Sequence, residues 1–298
     1  MRKIRIISPI VGVGKNPDEK VAIMQALGFL PSENLVSNDD VVVITCNMVN
    51  MNPPEKAVIV GPETLRELIH FFKEKNPKKI IIASGSSTTN TVNVLKSFGY
   101  DKMLKEEQVD FVDLNSGPFI DLNIGGEIIK QTKINSLVNE ATIMVSFTQL
   151  KTHEEAVMSA SIKNIALSWP PAEIHGYPKK NTGIHEELHD FIYSMAKNIP
   201  IDLAVVSLSP AMIGTGPSKG IAIRSDMVLA SFDAVACDTI GARLLGFKPQ
   251  AVGYLYRCIK EKIGIGRIDD IDLKGQKLID MEKQFSKLAY GKEFSIDE

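Results

Sequence analysis

Two lysines, a histidine, an asparagine and two serines lie close together between residues 151 and 164. Cations at such short spacing repel one another, and a folded surface gains little from this crowding. The simplest reasons to bring them together are an anionic group bound between them or a lysine amine that works at a lowered pKa. The candidate residues are Lys151, His153, Ser159, Ser161, Lys163 and Asn164.

Each residue type would have a definite task in such a site. The lysines would neutralise a carboxylate or phosphate, and His153 would act as an acid or base near neutral pH. Asn164 and the serines would orient the ligand. The alternative is a solvated basic turn and helix. If a helix began at Glu154, His153 and Lys163 would lie about 14 Å apart along its axis and would flank one extended ligand rather than form a catalytic dyad.

A second segment offers backbone groups to an anion. Gly85, Ser86 and Thr88 follow an apolar run and precede a predicted helix. In this arrangement backbone N–H groups and the helix dipole can hold an anion. The alternative is an N-cap that is rich in hydroxyl groups.

A glycine-rich loop follows the strand predicted at residues 202–208. It lacks the Gly-x-Gly-x-x-Gly spacing of dinucleotide-binding proteins and contains Pro217, yet its backbone could approach a ligand closely. Asp238, farther along, lies among apolar residues and is either a paired interior group or a catalytic acid. The candidate loop residues are Gly214, Gly216, Lys219 and Gly220.

The segment His185-Glu186-Glu187-Leu188-His189 matches the His-Glu-x-x-His pattern of zinc proteases, in which two histidines one helical turn apart bind the metal. Its context opposes that interpretation, because Glu187 and Asp190 place charge where zinc proteases keep uncharged packing, and no third ligand follows. We therefore expect no metal, with a zinc hydrolase through His185 and His189 as the less favoured alternative.

The surrounding sequence alternates short apolar strands with amphipathic helices, which predicts an α/β fold: a mostly parallel, doubly wound sheet with helices on both faces. Ligands of such sheets bind at the carboxyl ends of strands, where Lys151 and His153 would lie. Residues 12–15 lack the P-loop spacing and are predicted to form a turn. The proline-containing segment after Trp169 is predicted to fold over the site as a loop. Strands are predicted at residues 4–7, 41–44, 79–83, 109–113, 142–146 and 202–208.

Size and composition exclude several classes of protein. A chain of 298 residues with 44% hydrophobic and 23% charged residues is typical of a soluble globular protein. The net charge of -2 argues against nucleic-acid binding. Three distant cysteines form neither a disulfide framework nor a zinc ribbon. The N-terminal apolar run is interrupted by Pro9, too early for a membrane span, so we expect a cytoplasmic protein without a membrane partner.

The motifs of this chain resemble those of the DUF362 family in type and order. The resemblance implies one large domain over residues 1–298, with a core at about 40–255 and a C-terminal extension at 264–298. Many relatives carry a ferredoxin-like iron–sulfur module, but its Cys-x2-Cys spacing is absent, so no iron–sulfur cluster is expected in this chain. Relatives also carry a histidine after the Lys-Asn pair, which implies a role for His185. The motifs are Lys151-Thr152-His153, Lys163-Asn164, Gly216-Pro217 with Gly220, and residues 231–238 followed by Leu245-Gly246.

A looser similarity involves His153, Ala156, Ser159 and Lys163, whose spacing resembles a His-x2-Ala-x2-Ser-x3-Lys segment of lactate-racemase-like proteins. In those proteins the lysine holds a nickel-pincer nicotinamide cofactor and the histidine handles protons. The resemblance implies a nicotinamide-derived cofactor at Lys163. It also implies racemisation, or hydride and proton transfer, at a hydroxy acid.

The residues and resemblances together indicate a cytoplasmic enzyme, of isomerase or oxidoreductase type, that binds a small anionic metabolite or cofactor. The alternative is a noncatalytic redox accessory or ligand-binding module that has lost its iron–sulfur part. Such a module would work with a separate ferredoxin or as a homo-oligomer.

Overall fold

A computed structural model describes residues 4, 6 and 8–296 of the protein. The strand predicted at residues 4–7 lies partly outside these residues. The strands are β1 (Ile10–Lys15), β2 (Val41–Cys46), β3 (Lys79–Ser84), β4 (Asp110–Asp113), β5 (Phe119–Asn123), β6 (Gln131–Asn135), β7 (Ile143–His153), β8 (Val157–Ser159), β9 (Leu203–Ile213), β10 (Ile221–Ile223), β11 (Met227–Ser231) and β12 (Asp272–Lys274). The helices are α1 (Glu19–Gly28), α2 (Pro62–Lys73), α3 (Thr91–Ser97), α4 (Tyr100–Glu106), α5 (Ser161–Ser168), α6 (Ala172–His175), α7 (Leu188–Asn198), α8 (Ala234–Leu244), α9 (Gly253–Lys260) and α10 (Leu278–Tyr290).

One large sheet organises the described chain. Its strand order is β12-β1-β11-β9-β7-β2-β3-β4, with β8 beside β7 and β10 beside β9, whereas β5 and β6 form a separate pair. From β4 through β3, β2 and β7 to β9 all neighbours are parallel. Near the other edge β11 runs antiparallel to both β9 and β1, and the short strands β8 and β10 pair antiparallel with β7 and β9. The predicted α/β fold with a mostly parallel, doubly wound sheet is therefore confirmed.

Helices cover both faces of the sheet, as predicted. Successive side chains of a strand point to opposite faces. In β2, Val42 and Ile44 join an apolar core with residues of α1 to α4, whereas Val43 joins a second core with residues of α5 and α7 to α10. The continuous β-branched run of β2 is needed because the strand is covered on both sides.

The prediction of a turn at residues 12–15 is wrong, because these residues belong to β1. Helix α1 lies so close to this strand that a Cβ atom on Gly12 would be 2.2 Å from the carbonyl oxygen of Ala26. A Cβ on Gly14 would be 1.7 Å from the carbonyl oxygen of Ala22. Close helix–strand contact requires both glycines, and neither serves a turn.

The C-terminal strand β12 belongs to the sheet, and helix α10 packs against one face of it. Strand β12 pairs in parallel with β1, and Met281 and Phe285 of α10 are buried in the core. The predicted C-terminal extension at 264–298 thus contains a strand and a helix that pack against the rest of the chain. Among the residues that the structure describes, no helix is both long and apolar enough to span a membrane.

The strand order reverses at β2, which fixes where a ligand can bind. The chain runs from β2 to β3 and β4 on one side, and then returns to place β7 on the other side of β2. Chain segments that leave the carboxyl ends of β2 and β7 diverge at such a point and leave a crevice between them. The fold therefore predicts a site at the ends of these two strands.

Asp238 fixes the start of α5, the helix that follows β7 and β8. The Asp238 carboxylate is fully buried and accepts hydrogen bonds from the Ser161 backbone N–H at 2.9 Å, the Ser161 hydroxyl at 2.5 Å and the Ile162 N–H at 3.1 Å. These backbone groups belong to the first turn of α5, which has no internal partner for them. Asp238 is thus a paired interior group, the first of the two alternatives.

Replacing Asp238 by alanine is expected to lower the free energy of unfolding by about 3 kcal/mol, because buried N–H groups would lose their charged acceptor. Ser161→Ala is the matched control. It removes only the hydroxyl donor and is expected to cost about 1 kcal/mol. Urea denaturation followed by circular dichroism measures both. Equal losses in the two variants would contradict this role of the carboxylate.

Candidate functional site

A cavity of about 180 Å³ lies at the carboxyl ends of β2, β3 and β7, at the reversal point of the strand order. Four lysines and two glutamates line it among the described residues. It brings together most of the charged residues that the sequence singled out. The polar and charged lining residues are Asn47, Ser87, Thr88, Thr148, Lys151, His153, Glu154, Glu155, Ser159, Lys163, Asn164, Ser168, Lys179, Lys180, His185 and Ser218.

A tight hairpin at the end of β7 places His153 and Ser159 at the cavity. The pairs Lys151 with Ser159 and His153 with Val157 are in register, so only three residues form the turn. Val157, a β-branched residue, takes a left-handed conformation with φ 64°, which costs on the order of 1–3 kcal/mol. The idea of a helix beginning at Glu154 is therefore wrong. Helix α5 begins at Ser161 instead, so His153 and Lys163 line the same cavity.

Lys151 is the most deeply buried cation of the site. Its side chain is 1% exposed, and its Nζ donates a hydrogen bond of 2.7 Å to the carbonyl oxygen of Val58. Asn47, which follows β2, donates to the same oxygen at 2.8 Å. Burial and then the positive charge of Lys163 lower the pKa of Lys151 to about 7.

Lys163 lies in the first turn of α5 and is half-buried. Within the described residues its Nζ has neither a hydrogen bond nor an ion pair. Burial lowers the pKa of Lys163 to about 8, and the negative charge of Glu155 opposes this shift. A lysine with a lowered pKa and an amine that no other group holds has the properties of a nucleophile or a base.

Lys179 was not foreseen from the sequence. It is 2% exposed, and its Nζ donates to the carbonyl oxygens of Gly85 at 3.1 Å, Leu167 at 3.1 Å and Ser168 at 3.3 Å. Burial lowers the pKa of Lys179 to about 7, an effect that the charge of Asp113 opposes. Three carbonyl oxygens match the three N–H groups of an ammonium ion, so this contact stabilises the charged form. Its place in a loop without periodicity gave no sequence signal for this role.

His153 is held as a neutral ring. Its Nδ1 accepts hydrogen bonds from the backbone N–H groups of Glu155 and Ala156, both at 3.1 Å, so the proton of the neutral ring is on Nε2. Burial, followed by the charges of Lys163 and Lys151, lowers the pKa of His153 to about 2. The lowered pKa favours a neutral ring at neutral pH, whereas the predicted role as an acid or base needs a ring that takes up a proton there. His153 can instead donate a hydrogen bond through Nε2.

Glu155 partly balances the positive charge at the cavity entrance. Its carboxylate pairs with Lys180 at 3.0 Å and hydrogen bonds to Nδ1 of His185. Burial raises the pKa of Glu155, but these two hydrogen bonds outweigh it and lower the pKa. Burial lowers the pKa of His185, and Glu155 opposes that change. His185 thus lies at the site, where it hydrogen bonds to Glu155, a contact that the sequence did not reveal.

Asn164 lines the cavity, yet its amide serves the fold. Its Nδ2 donates to the carbonyl oxygen of Thr45 at 2.9 Å and to the Ser146 hydroxyl at 3.0 Å, and its Oδ1 accepts from Ser168 at 3.3 Å. These bonds join α5 to the ends of β2 and β7. Asn164 therefore positions Lys163, and its role in orienting a ligand stays a prediction. Ser161, bonded to Asp238, does not line the cavity.

The segment after β3 contributes shape more than anion-binding groups. Gly85 is required because a Cβ atom there would lie 2.2 Å from the carbonyl oxygen of Ser168. The hydroxyls of Ser86 and Thr88 both donate to the carbonyl oxygen of Val49, at 2.7 and 3.0 Å. Helix α3 begins only later, with Asn90 as its N-cap. Gly85 and Thr88 line the cavity, whereas Ser86 does not, and the predicted anion site at the helix N-terminus is not formed.

The glycine-rich loop after β9 supports the hairpin. A Cβ atom on Gly216 would lie 1.9 Å from the carbonyl oxygen of Thr152, so glycine is needed for this contact. The neighbouring Pro217 and Ser218 reach the cavity. The four loop residues predicted from the sequence lie outside the cavity lining: Gly214, Gly216, Lys219 and Gly220.

The two histidines of the His-Glu-x-x-His segment have separate partners in the structure. Helix α7 begins at Leu188, so His185 precedes the helix and faces Glu155. His189 stacks on the Tyr254 ring and accepts a hydrogen bond from the Tyr254 N–H at 3.1 Å. No cluster of three metal-binding side chains occurs in the part of the chain that the structure covers.

The segment at residues 169–176, predicted to fold over the site as a loop, does not line the cavity. The Trp169 indole is fully buried, and its Nε1 donates to the Thr45 hydroxyl at 3.2 Å. Residues Ala172–His175 form helix α6. Pro178, Lys179 and Lys180, which follow this segment, form part of the cavity wall instead.

Comparison with known proteins supplies a family but no activity. A thylakoid-associated protein of Synechocystis sp. is 20% identical over 233 residues, which cover 78% of this chain and 70% of that protein. The lactate racemase apoprotein of Thermoanaerobacterium thermosaccharolyticum is structurally similar with a TM-score of 0.48 and 20% identity. That match covers 77% of this chain but only 55% of the racemase chain. The model of a family described as a domain of unknown function (DUF362) matches residues 42–243. Since this match spans more than half of the chain, the protein belongs to the DUF362 family.

Proposed function

We propose that the protein is an enzyme that binds a small anionic metabolite in the cavity between the ends of β2, β3 and β7. One observation carries the proposal. Lys151 and Lys179 are almost fully buried and Lys163 is half-buried around one small cavity, and within the described residues none of them forms an ion pair with a carboxylate. Burying cations without a counter-ion is costly, and a bound carboxylate or phosphate would offset that cost.

The size of the cavity favours a small ligand. Sites for drug-sized ligands and cofactors have volumes of roughly 300–1,000 Å³, whereas this cavity measures about 180 Å³. A nicotinamide-derived cofactor on Lys163 does not fit a space of this size. A metabolite with a few non-hydrogen atoms and one or two anionic groups does.

Two features favour an enzyme over a module that only binds its ligand. The amine of Lys163 is not engaged by the described residues, and the Nε2–H of neutral His153 is available for a hydrogen bond. A binding module would be expected to use such groups as fixed contacts, as Lys179 is used. Catalysis needs donors and nucleophiles that remain free until the substrate arrives.

Lys151→Met is expected to weaken the binding of a small dianion about tenfold or more, because one charge-assisted contact is worth about 1.5–3 kcal/mol. Isothermal titration calorimetry with oxalate and with inorganic phosphate measures the effect. Lys219→Met is the matched control, since Lys219 is exposed and lies outside the cavity lining. Equal affinity in the two variants, or no binding by the unchanged protein, would contradict the proposal.

Stability should rise with pH in the absence of a ligand. An unfolded lysine keeps its proton up to a pKa of 10.5, whereas the folded state lowers the pKa of Lys151 to about 7. Between these values the unfolded chain binds more protons, so the free energy of unfolding increases with pH. The slope for one lysine is at most about 1.4 kcal/mol per pH unit.

Chemical denaturation between about pH 7 and pH 8.5, below the main titration range of tyrosines, measures this slope. Lys151→Met is expected to show a smaller slope than the unchanged protein, and Lys219→Met the same slope. A Lys151→Met variant with an unchanged slope would show that Lys151 keeps its proton in the folded state.

The ring of His153 is expected to stay neutral from about pH 5 to pH 8, because its pKa is lowered to about 2. Two-bond nitrogen–proton NMR correlation should show an unprotonated Nδ1 and a protonated Nε2 throughout. A His153→Asn variant assigns the signals. Movement of both nitrogens to imidazolium shifts within this range would restore an acid–base role.

A further inference from the structure

We infer that Lys163 forms an imine with a small 2-oxo carboxylate bound in the cavity. The inference rests on the proposed function and adds to it a substrate class and a covalent step. It follows from the different ways in which the structure engages the three lysines.

The hydrogen-bond partners leave one of the three amines available. The three N–H groups of Lys179 donate to three carbonyl oxygens, which leaves no lone pair directed at the cavity. Lys151 is almost fully buried and bonded to the carbonyl oxygen of Val58. Lys163 lines the cavity, is half-buried and has no hydrogen bond among the described residues. Of the three amines, only that of Lys163 is both free and accessible to a ligand.

The backbone position of Lys163 is fixed by its helix. Asp238 accepts hydrogen bonds from the first turn of α5. The side chain of Asn164, the residue after Lys163, is hydrogen-bonded to β2 and β7. The helix therefore cannot shift the amine away from the cavity without breaking these buried bonds. A nucleophile held in place before the substrate binds saves the entropy of positioning it.

The surroundings suit a carbonyl group next to a carboxylate. Lys151 offers a positive charge for the carboxylate. His153 offers its Nε2–H to the carbonyl oxygen, where negative charge develops during attack, and its Nδ1 is held by two backbone N–H groups. Burial also lowers the pKa of Lys163 to about 8, which raises the fraction of neutral amine.

The step balances without another reactant. The neutral Lys163 amine attacks the carbonyl carbon, so a C–N bond forms while the C=O π electrons move to oxygen. The nitrogen then gives up both of its protons, the C–O bond breaks, and the oxygen leaves as water. Amine plus 2-oxo acid thus gives imine plus water, and the carboxylate is unchanged.

Reductive trapping tests the inference. The protein is incubated with pyruvate and sodium borohydride, which reduces the C=N bond to a stable secondary amine, and digested peptides are analysed by mass spectrometry. The expected result is one reduced pyruvyl group on Lys163, formed about tenfold or more faster than on exposed Lys219, because a neutral amine is far more abundant at the lower pKa. Excess oxalate, which has no ketone or aldehyde group, should suppress it by competition.

Two controls separate this inference from the proposed function. Lys163→Arg keeps the charge and should still bind oxalate, yet it should give no adduct on the peptide of α5. Calorimetry of the unchanged protein with pyruvate then decides the remaining cases. Binding of pyruvate without an adduct on Lys163 would overturn the imine and leave the anion site in place. Equal labelling of Lys163 and Lys219 would also overturn the imine. If the unchanged protein bound neither oxalate nor phosphate, the proposed function itself would be overturned.

Discussion

The structure around the site depends on keeping lysine side chains away from water without carboxylate partners. Lys151 and Lys179 are almost fully buried and bond to backbone carbonyl oxygens. Carbonyl dipoles stabilise an ammonium group less than a carboxylate does, so the lowered pKa values of these lysines follow from their burial. Both lysines lie near the carboxyl ends of β2, β3 and β7, where backbone carbonyl groups of the loops and of α5 point toward their ammonium groups.

Several unrelated segments are needed to hold that arrangement. Gly85 lets the end of α5 approach the loop after β3, because any side chain there would meet the carbonyl oxygen of Ser168. The turn after His153 contains Val157 in a strained left-handed conformation. The same turn directs two backbone N–H groups at the His153 ring. The positions of the cations are therefore determined by backbone geometry more than by contacts among the charged side chains.

Much of the fold could be predicted because its signals are local. The β-branched run of β2 and the amphipathic pattern of α2 each indicate their secondary structure within a few residues. The alternation of such strands and helices also predicts that Lys151 lies at a strand end. The three-residue strand β8 is too short to show any periodicity, so the hairpin was missed. Lys179 reaches the site through loop geometry, and Gly12 and Gly14 are explained only by the distant helix α1. Such contacts depend on tertiary structure, which no short stretch of sequence encodes.

The ammonium group of Lys179 joins parts of the chain that lie far apart in sequence. It binds the last carbonyl groups of α5 and the carbonyl oxygen of Gly85, and its own backbone N–H donates to Ser87 at 3.1 Å. The neighbours Pro178 and Lys180 are exposed. The segment cannot leave the surface without exposing the carbonyl groups at the end of α5 that Lys179 binds. The wall of the cavity, the end of α5 and the loop after β3 are therefore joined through one ammonium group.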